Sequence, residues 1–432
     1  MCKLCLGAKP ENIIELRPCA EAKLPACLPK CKKLDCKYIE LDKLPELPKC
    51  EWLKCCRKQL TKLPELPCVV WLYCSNNNLT EIPILPKCRV LSCRYNQIEV
   101  LHGLPKCEWL DCSGHSYSEQ SLVLCDLPMC KTLICDFTKI SQLPELPNCT
   151  CLCCDANENL TSLPALPLCK TLKCAATGLT TLPDLPQCKY LYCQNCKLTE
   201  LPDLPLCCYV DCSSNLITSI RGVMNSKVII CYTNRLEQLP DMPNCVKLIC
   251  YENFIKIMPG LPKCKKLICN TGQLEHLGEL PVCEELNVQA NKLEVLPELP
   301  MCVKLICSGN KLKQLPRLSS IIKLIISDNP GIQLPEWLGC KDFQCIGCGL
   351  VKLPELPDCT YLDCHDNPLE TLPLLPHCRS IRIPDGRPDL QKLSEDMFDE
   401  FYKTRNTAFG TGRGFRGGFR GGFRGGFRGA KQ

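Results

Sequence analysis

Cys302-Val303-Lys304-Leu305-Ile306-Cys307-Ser308-Gly309-Asn310-Lys311-Leu312, closed by Leu315-Pro316, is one copy of a line that fills most of the chain. Its general form is Cys-x-x-Leu-x-Cys-x-x-Asn-x-Leu-x-x-Leu-Pro-x-Leu-Pro-x. The second Cys marks the copies, at 36, 55, 74, 93, 112, 135, 154, 174, 193, 212, 231, 250, 269, 307, 345 and 364. Val288, Ile326 and Ile383 fill the remaining marker positions, which makes 19 copies. The step is 19 residues, except 23 after Cys112 and 20 after Cys154. A fixed period of this size specifies a solenoid, in which each unit buries its apolar face only against its neighbours.

The line resembles the leucine-rich repeat pattern, L-x-x-L-x-L-x-x-N-x-L, with Cys at the first and third apolar positions. The resemblance covers residues 27–385. The Leu-Pro-x-Leu-Pro punctuation is similar to the short repeats of bacterial effector proteins. The cysteine-rich version is similar to leucine-rich-repeat proteins of giant DNA viruses. Many such effectors carry a ubiquitin-ligase domain after the repeats; the segment 386–432 is too short for one, so that activity is not carried over. The resemblance implies a ladder of buried asparagines, with Asn at 77, 96, 157, 215, 234, 253, 291, 310, 329 and 367, and Cys196 and Cys348 standing in that slot elsewhere.

Each repeat is too short to hold a full helix on its return side. Proline fixes φ and restricts the residue before it, so Leu-Pro-x-Leu-Pro favours extended or polyproline II backbone. The expected fold is a leucine-rich repeat solenoid. A curved parallel β-sheet forms its concave side, and extended, polyproline II or 3-10 segments form its convex side, with few helices. Residues 1–26 read as an N-terminal cap and 27–385 as the solenoid. The four extra residues near Gly114-His115-Ser116-Tyr117-Ser118 read as a surface loop. Residues 386–405 read as a helical C-terminal cap, because Leu390, Leu393, Met397, Phe398, Phe401 and Tyr402 recur at helical spacing. Residues 406–432 read as a disordered tail.

Of the 44 cysteines, 32 occupy the two repeat slots where the pattern usually has leucine. Reduced thiols packed as small hydrophobes suit those positions. Disulfides and metal ligation are the alternatives. Equivalent cysteines in neighbouring strands lie within disulfide reach, about 4.8 Å, but each has two equal neighbours and the pattern specifies no pairing. Cys2-x-x-Cys5 is half of a zinc motif without a second half at a defensible spacing. No metal and no cofactor is expected. The chain has no opening signal segment and no apolar run of membrane-spanning length, so the expectation is an intracellular protein, cytoplasmic or nuclear, with no membrane partner.

The net charge of +6 belongs to the last 20 residues, which hold six basic residues and no acid; the remainder is neutral. That tail repeats Phe-Arg-Gly-Gly and resembles the RGG box of RNA-binding proteins. Its Arg413, Arg416, Arg420, Arg424 and Arg428 are suited to phosphates, and Phe415, Phe419, Phe423 and Phe427 to stacking on unpaired bases. RNA, held by the tail, is therefore one expected partner.

No catalytic constellation is present. Cys364-His365-Asp366 has suitable residue types, but Cys364 is a core slot and consecutive residues cannot converge on one atom. The chain is expected not to be an enzyme. Recognition is better supported. Alternation along the strand turns the residues before and after the central Leu to the concave face. The position before it carries Trp52, Trp71 and Trp109, then Tyr190 and Tyr209, then Lys247, Lys266, Lys304 and Lys323. The position after it carries Ile230, Ile249, Ile268, Ile306 and Ile325. Exposed aromatic and isoleucine columns suit a protein partner, whose identity is unknown. The chain therefore reads as a non-enzymatic scaffold, with RNA binding as the alternative.

Overall fold

The computed structural model describes residues 3, 4, 7, 9–20, 22–114, 121–387, 389 and 390. Within them, 20 short strands form one parallel sheet, running from Glu15–Leu16 to Ser380–Arg382. The first pairs with Lys33–Asp35, so the segment before the repeats adds one strand to the sheet. Most strands are three residues long, centred on the repeat leucine or, at Val210, Ile229, Phe343 and Ile381, on another apolar residue. Leu286, Leu305 and Leu324 stand side by side in register, each fully buried. The flanking residues, such as Lys304 and Ile306, are half-buried on the other face. This alternation follows directly from the period of two along a strand.

The turn after the strand is held by the asparagine ladder. Asn157 is fully buried. Its amide Nδ2 donates to the carbonyls of Cys135 (3.0 Å) and Cys154 (2.9 Å). Its Oδ1 accepts from the backbone N–H groups of Thr138 and Ile140, both at 3.1 Å, and from the Thr138 hydroxyl at 3.0 Å. One side chain thus satisfies backbone groups in two successive repeats, which a buried turn requires. Asn77, Asn234, Asn253 and Asn310 repeat the same donor pattern. Where the slot is Cys196, the thiol donates to the Cys174 carbonyl at 3.1 Å; Cys348 does the same to Ile326 at 3.3 Å.

The residue just before this slot is left-handed in nearly every repeat: Asn76, Tyr95, Ala156, Asn195, Ser214, Thr233, Glu252 and Asp328 all have φ between 52° and 58°. Gly114, Gly309 and Gly347 supply the residue type that suits that conformation. The geometry is kept because it aims the N–H at the next repeat, as from Thr233 to the Tyr251 carbonyl at 3.0 Å.

Return segments are irregular, as their prolines dictate. Their N–H-poor backbone forms two small parallel ladders, Val100–Leu101 with Val123–Leu124 and Ile257–Met258 with His276–Leu277. The inner leucine of each Leu-Pro-x-Leu-Pro is buried, and the turn that follows is closed by the next Cys, as in Cys88 N–H to the Leu85 carbonyl at 3.2 Å. Helix among the described residues is confined to the 3-10 turn Pro10–Asn12 and to Asp389 and Leu390. None is long and apolar enough to cross a membrane.

The cysteines of both slots point into the core. First-slot thiols donate to the carbonyl two residues on, as from Cys50 to Trp52 at 3.2 Å and from Cys107 to Trp109 at 3.3 Å. A leucine there would offer the carbonyl nothing. Burial pushes these thiols up to about 12 and raises those of the second slot as well. The cysteines of both slots are free thiols. Ser226 replaces Cys in one first slot; its hydroxyl is fully buried and donates to the Cys207 carbonyl at 2.9 Å.

The surface loop at 114–118, the C-terminal helix, the Phe-Arg-Gly-Gly tail and the pair Cys2 and Cys5 lie wholly or mainly outside the described residues.

Candidate functional site

The side chains that the sequence places on the concave face form continuous columns. Trp52, Trp71, Val90 and Trp109 are successive register partners. Trp71 is 40% exposed; Trp52 and Trp109 are half-buried. The Trp52 ring contacts Tyr73 at 6.0 Å, and the Lys33 ammonium lies over it at 5.3 Å. Thr132, Cys151 and Thr171 then separate this strip from Tyr190 and Tyr209, which pair with each other.

In the second half, Ile230, Ile249 and Ile268 are adjacent, Asn287 interrupts, and Ile306 and Ile325 continue. Each isoleucine is half-buried. Beside them runs the column Lys247, Lys266, Glu285, Lys304, Lys323, Asp342. Glu285 pairs with both Lys266 (2.6 Å) and Lys304 (2.7 Å), and Asp342 with Lys323 (2.6 Å). The lysine strip is therefore largely neutralised within its own sheet. The two ammonium groups hold the Glu285 carboxyl below its usual range. Lys247 is the member of the column with no acidic partner among the described residues.

The structure adds residues that the sequence reading passed over. The position after the second Cys is a third solvent-side column, since the alternation continues one step past the strand. There Tyr232 and Tyr251 stack with centroids 4.5 Å apart and planes within 5°. Tyr192 packs on Tyr209 at 4.8 Å and receives the Lys173 ammonium over its ring at 5.4 Å. Tyr occurring two positions beyond Ile230 and Ile249 was the available signal. From Ile230 to Ile268 the isoleucines and tyrosines make one apolar and aromatic surface, bounded in its column by Asp211 on one side and Asn287 on the other.

Chemistry is sparse on this face. Asp136 is pushed up to about 6, chiefly by burial, and Asp155 is raised for the same reason. Each accepts a backbone N–H from the following repeat, Asp155 N–H at 2.8 Å and Ala175 N–H at 2.7 Å, so both serve the turn. Cys364 is fully buried, and its thiol donates to the Arg382 carbonyl at 3.3 Å. The His365 ring lies between two carboxylates, with Nδ1 2.5 Å from Asp363 and Nε2 3.6 Å from Asp366, while the thiol stays in the core. The trio therefore does not converge on a common point.

No family model matches the chain, and no curated protein matches it in sequence. Solved structures do. YopM from Yersinia enterocolitica WA-314 superposes with a TM-score of 0.72 at 28% identity, covering 86% of this chain and 89% of that one. YopM from Yersinia pestis, described as a leucine-rich effector protein, gives 0.53 at 26% identity, covering 77% and 88%. The repeat period, the one-strand-per-repeat sheet, the asparagine ladder and these likenesses agree: the chain is a leucine-rich repeat protein, built with cysteine at two of its recurrent core positions.

Proposed function

We propose that the chain is a non-enzymatic scaffold that binds a protein partner on the concave face of its sheet. The observation that carries this reading is the unbroken apolar and aromatic surface formed by Ile230, Ile249, Ile268, Tyr232 and Tyr251 in register. An apolar strip of this length facing solvent is a mark of an interface. The likeness to YopM, one form of which is described as an effector, is in keeping with a protein whose work is contact. Because Glu285 and Asp342 neutralise most of the lysine column, the partner surface is apolar first and charged second. The aromatic strip at Trp52, Trp71 and Trp109 is a second contact zone of the same kind.

The test is Ile249→Asp with Ile268→Asp, in a chain used to capture partners. Both side chains lie on the solvent side, so the fold survives and the partner is lost. Retention of every partner by a folded double variant refutes the assignment.

The tail supports a second reading, in which Phe-Arg-Gly-Gly repeats hold single-stranded RNA while the sheet binds protein. Its composition alone favours this. Deleting 410–432 then removes RNA and leaves the protein partner; a native tail that binds RNA no better than a Gly-Ser tail at about 0.1 M salt sinks it.

A further inference from the structure

Charge is not spread evenly along the solenoid. Residues 27–58, around Cys36 and Cys55, hold nine basic and five acidic residues, a net charge of +4. Because the chain without its tail is neutral, this excess is offset by acids elsewhere along the repeats. Lys33, Lys37, Lys54, Arg57 and Lys58 have no acidic partner among the described residues. The acids beside them are taken: Asp35 lies 3.8 Å from Arg17, and Glu51 lies 3.0 Å from Lys32. These cations frame an aromatic platform. Lys33, Trp52 and Trp71 are successive register partners, and Lys54 is in register with Tyr73. Lys37 and Arg57 are exposed on the turns beyond the strands. The Lys58 ammonium reaches the Lys37 carbonyl at 3.3 Å, so Lys37, Arg57 and Lys58 share one rim. Trp52 already has the Lys33 ammonium over its ring and Tyr73 tilted against it, which leaves Trp71, 40% exposed, as the open anchor.

We propose that this corner of the sheet binds an acidic protein segment, a run of Asp and Glu carrying one large apolar side chain. The apolar side chain seats on Trp71, and the carboxylates face Lys54, Arg57 and the lysines beside them. The proposal rests on the reading of the tryptophan strip as a protein contact zone and names the chemistry of what that zone contacts. Cations without acids of their own attract an acidic partner, and complementary charge sets both which partner is chosen and how fast it arrives. Single-stranded nucleic acid is the other polyanion. Its bases ask for several open ring faces in succession, whereas here the ring adjoining Trp71 is already occupied.

The probe is a fluorescein-labelled peptide of about ten residues, Asp and Glu around a central Leu-Phe, long enough at about 3.3 Å per residue to cross the three strands. Its binding to the full chain is followed by anisotropy, beside Trp71→Ala and Lys54→Glu with Arg57→Glu. The control is Lys311→Glu with Lys313→Glu, an equal reversal of charge on exposed lysines of a distant repeat. The basic tail is common to all four chains, so differences between them read the sheet alone. The Lys54 and Arg57 reversal weakens binding about thirtyfold and Trp71→Ala about tenfold, while the control binds as the native chain does. Equal weakening in the two doubly reversed chains makes the effect one of overall charge and overturns the site. A version of the peptide with Asn and Gln for its acids binds about tenfold more weakly. If that neutral peptide binds as tightly as the acidic one and Trp71→Ala releases both, the acidic assignment falls and the contact zone stands. Binding of every peptide unchanged by Trp71→Ala refutes the zone itself. Oligouridine loses less than the peptide on the Lys54 and Arg57 reversal; a larger loss overturns the proposal in favour of nucleic acid. If the doubly reversed chain fails to fold by circular dichroism, Arg57→Glu at its exposed position decides alone.

Discussion

Replacing Asn157 with Ala tests whether the asparagine ladder, as well as the packed leucines, holds successive repeats together. The native side chain is fully buried and satisfies two carbonyls, of Cys135 and Cys154, and two backbone N–H groups, of Thr138 and Ile140. Leaving one buried polar group unpaired costs about 1–3 kcal/mol. The Cys135 carbonyl keeps the Thr138 hydroxyl at 2.8 Å, so three groups are left unpaired, which gives about 6 kcal/mol at mid-range if nothing relaxes. Neighbouring losses are not additive, and a water admitted to the gap recovers part. The expected loss is about 4 kcal/mol. A solenoid unfolds through its nearest-neighbour contacts, so the loss is local before it is global. Amide exchange at Thr138 and Ile140 reads it directly: about 4 kcal/mol is about a thousandfold faster exchange at both. Amides three or more repeats away change little. Asn157→Asp keeps the accepting oxygen but turns a carboxylate toward two carbonyls, and is expected to be at least as damaging at pH 7. A loss below about 1 kcal/mol for Ala, or a tolerated Asp, shows that the turn is held by other means.

Stability should fall steeply above pH 9. The slot thiols, such as Cys50, Cys88 and Cys107, are pushed up to about 12 by burial, while unfolding returns them to about 9. Below pH 9 both states keep their protons; above it the unfolded chain releases protons that the folded chain retains, so each thiol weakens the fold by up to about 1.4 kcal/mol per pH unit. Urea midpoints that are unchanged between pH 8 and 10.5 contradict this. Thr233→Gly is expected to stabilise by about 0.5–1 kcal/mol, because a β-branched residue at φ 52° is strained; a lower thermal midpoint shows that the Thr233 hydroxyl's bond to Glu252 at 2.7 Å outweighs the strain. Ser226→Cys returns the prevailing residue to a fully buried slot and should raise the midpoint slightly, by a change worth less than about 1 kcal/mol; a marked fall indicates that the hydroxyl bond to Cys207 is essential there.

The period alone determined the architecture. Nineteen copies of one line at a near-constant step leave each unit no way to bury its apolar residues except against its neighbours, and in-register stacking then follows. The alternation in Cys-x-x-Leu-x-Cys likewise decided which face Trp71, Ile249 and Lys304 occupy, because strand geometry has a period of two. What the line does not encode is what happens between neighbours 19 residues apart, for that depends on side-chain conformations across the ladder. Lys266 and Lys304 converging on Glu285, the stacking of Tyr232 on Tyr251, and the left-handed turn taken by Thr233 are decided only once the strands are placed side by side. Cysteine shows the same division. Its slot position marks Cys50 as core, but only the three-dimensional arrangement gives that thiol the Trp52 carbonyl as its acceptor and sets Cys153 beside Lys173 of the next repeat. Burial is a property of periodicity, whereas ionisation and pairing are properties of distance.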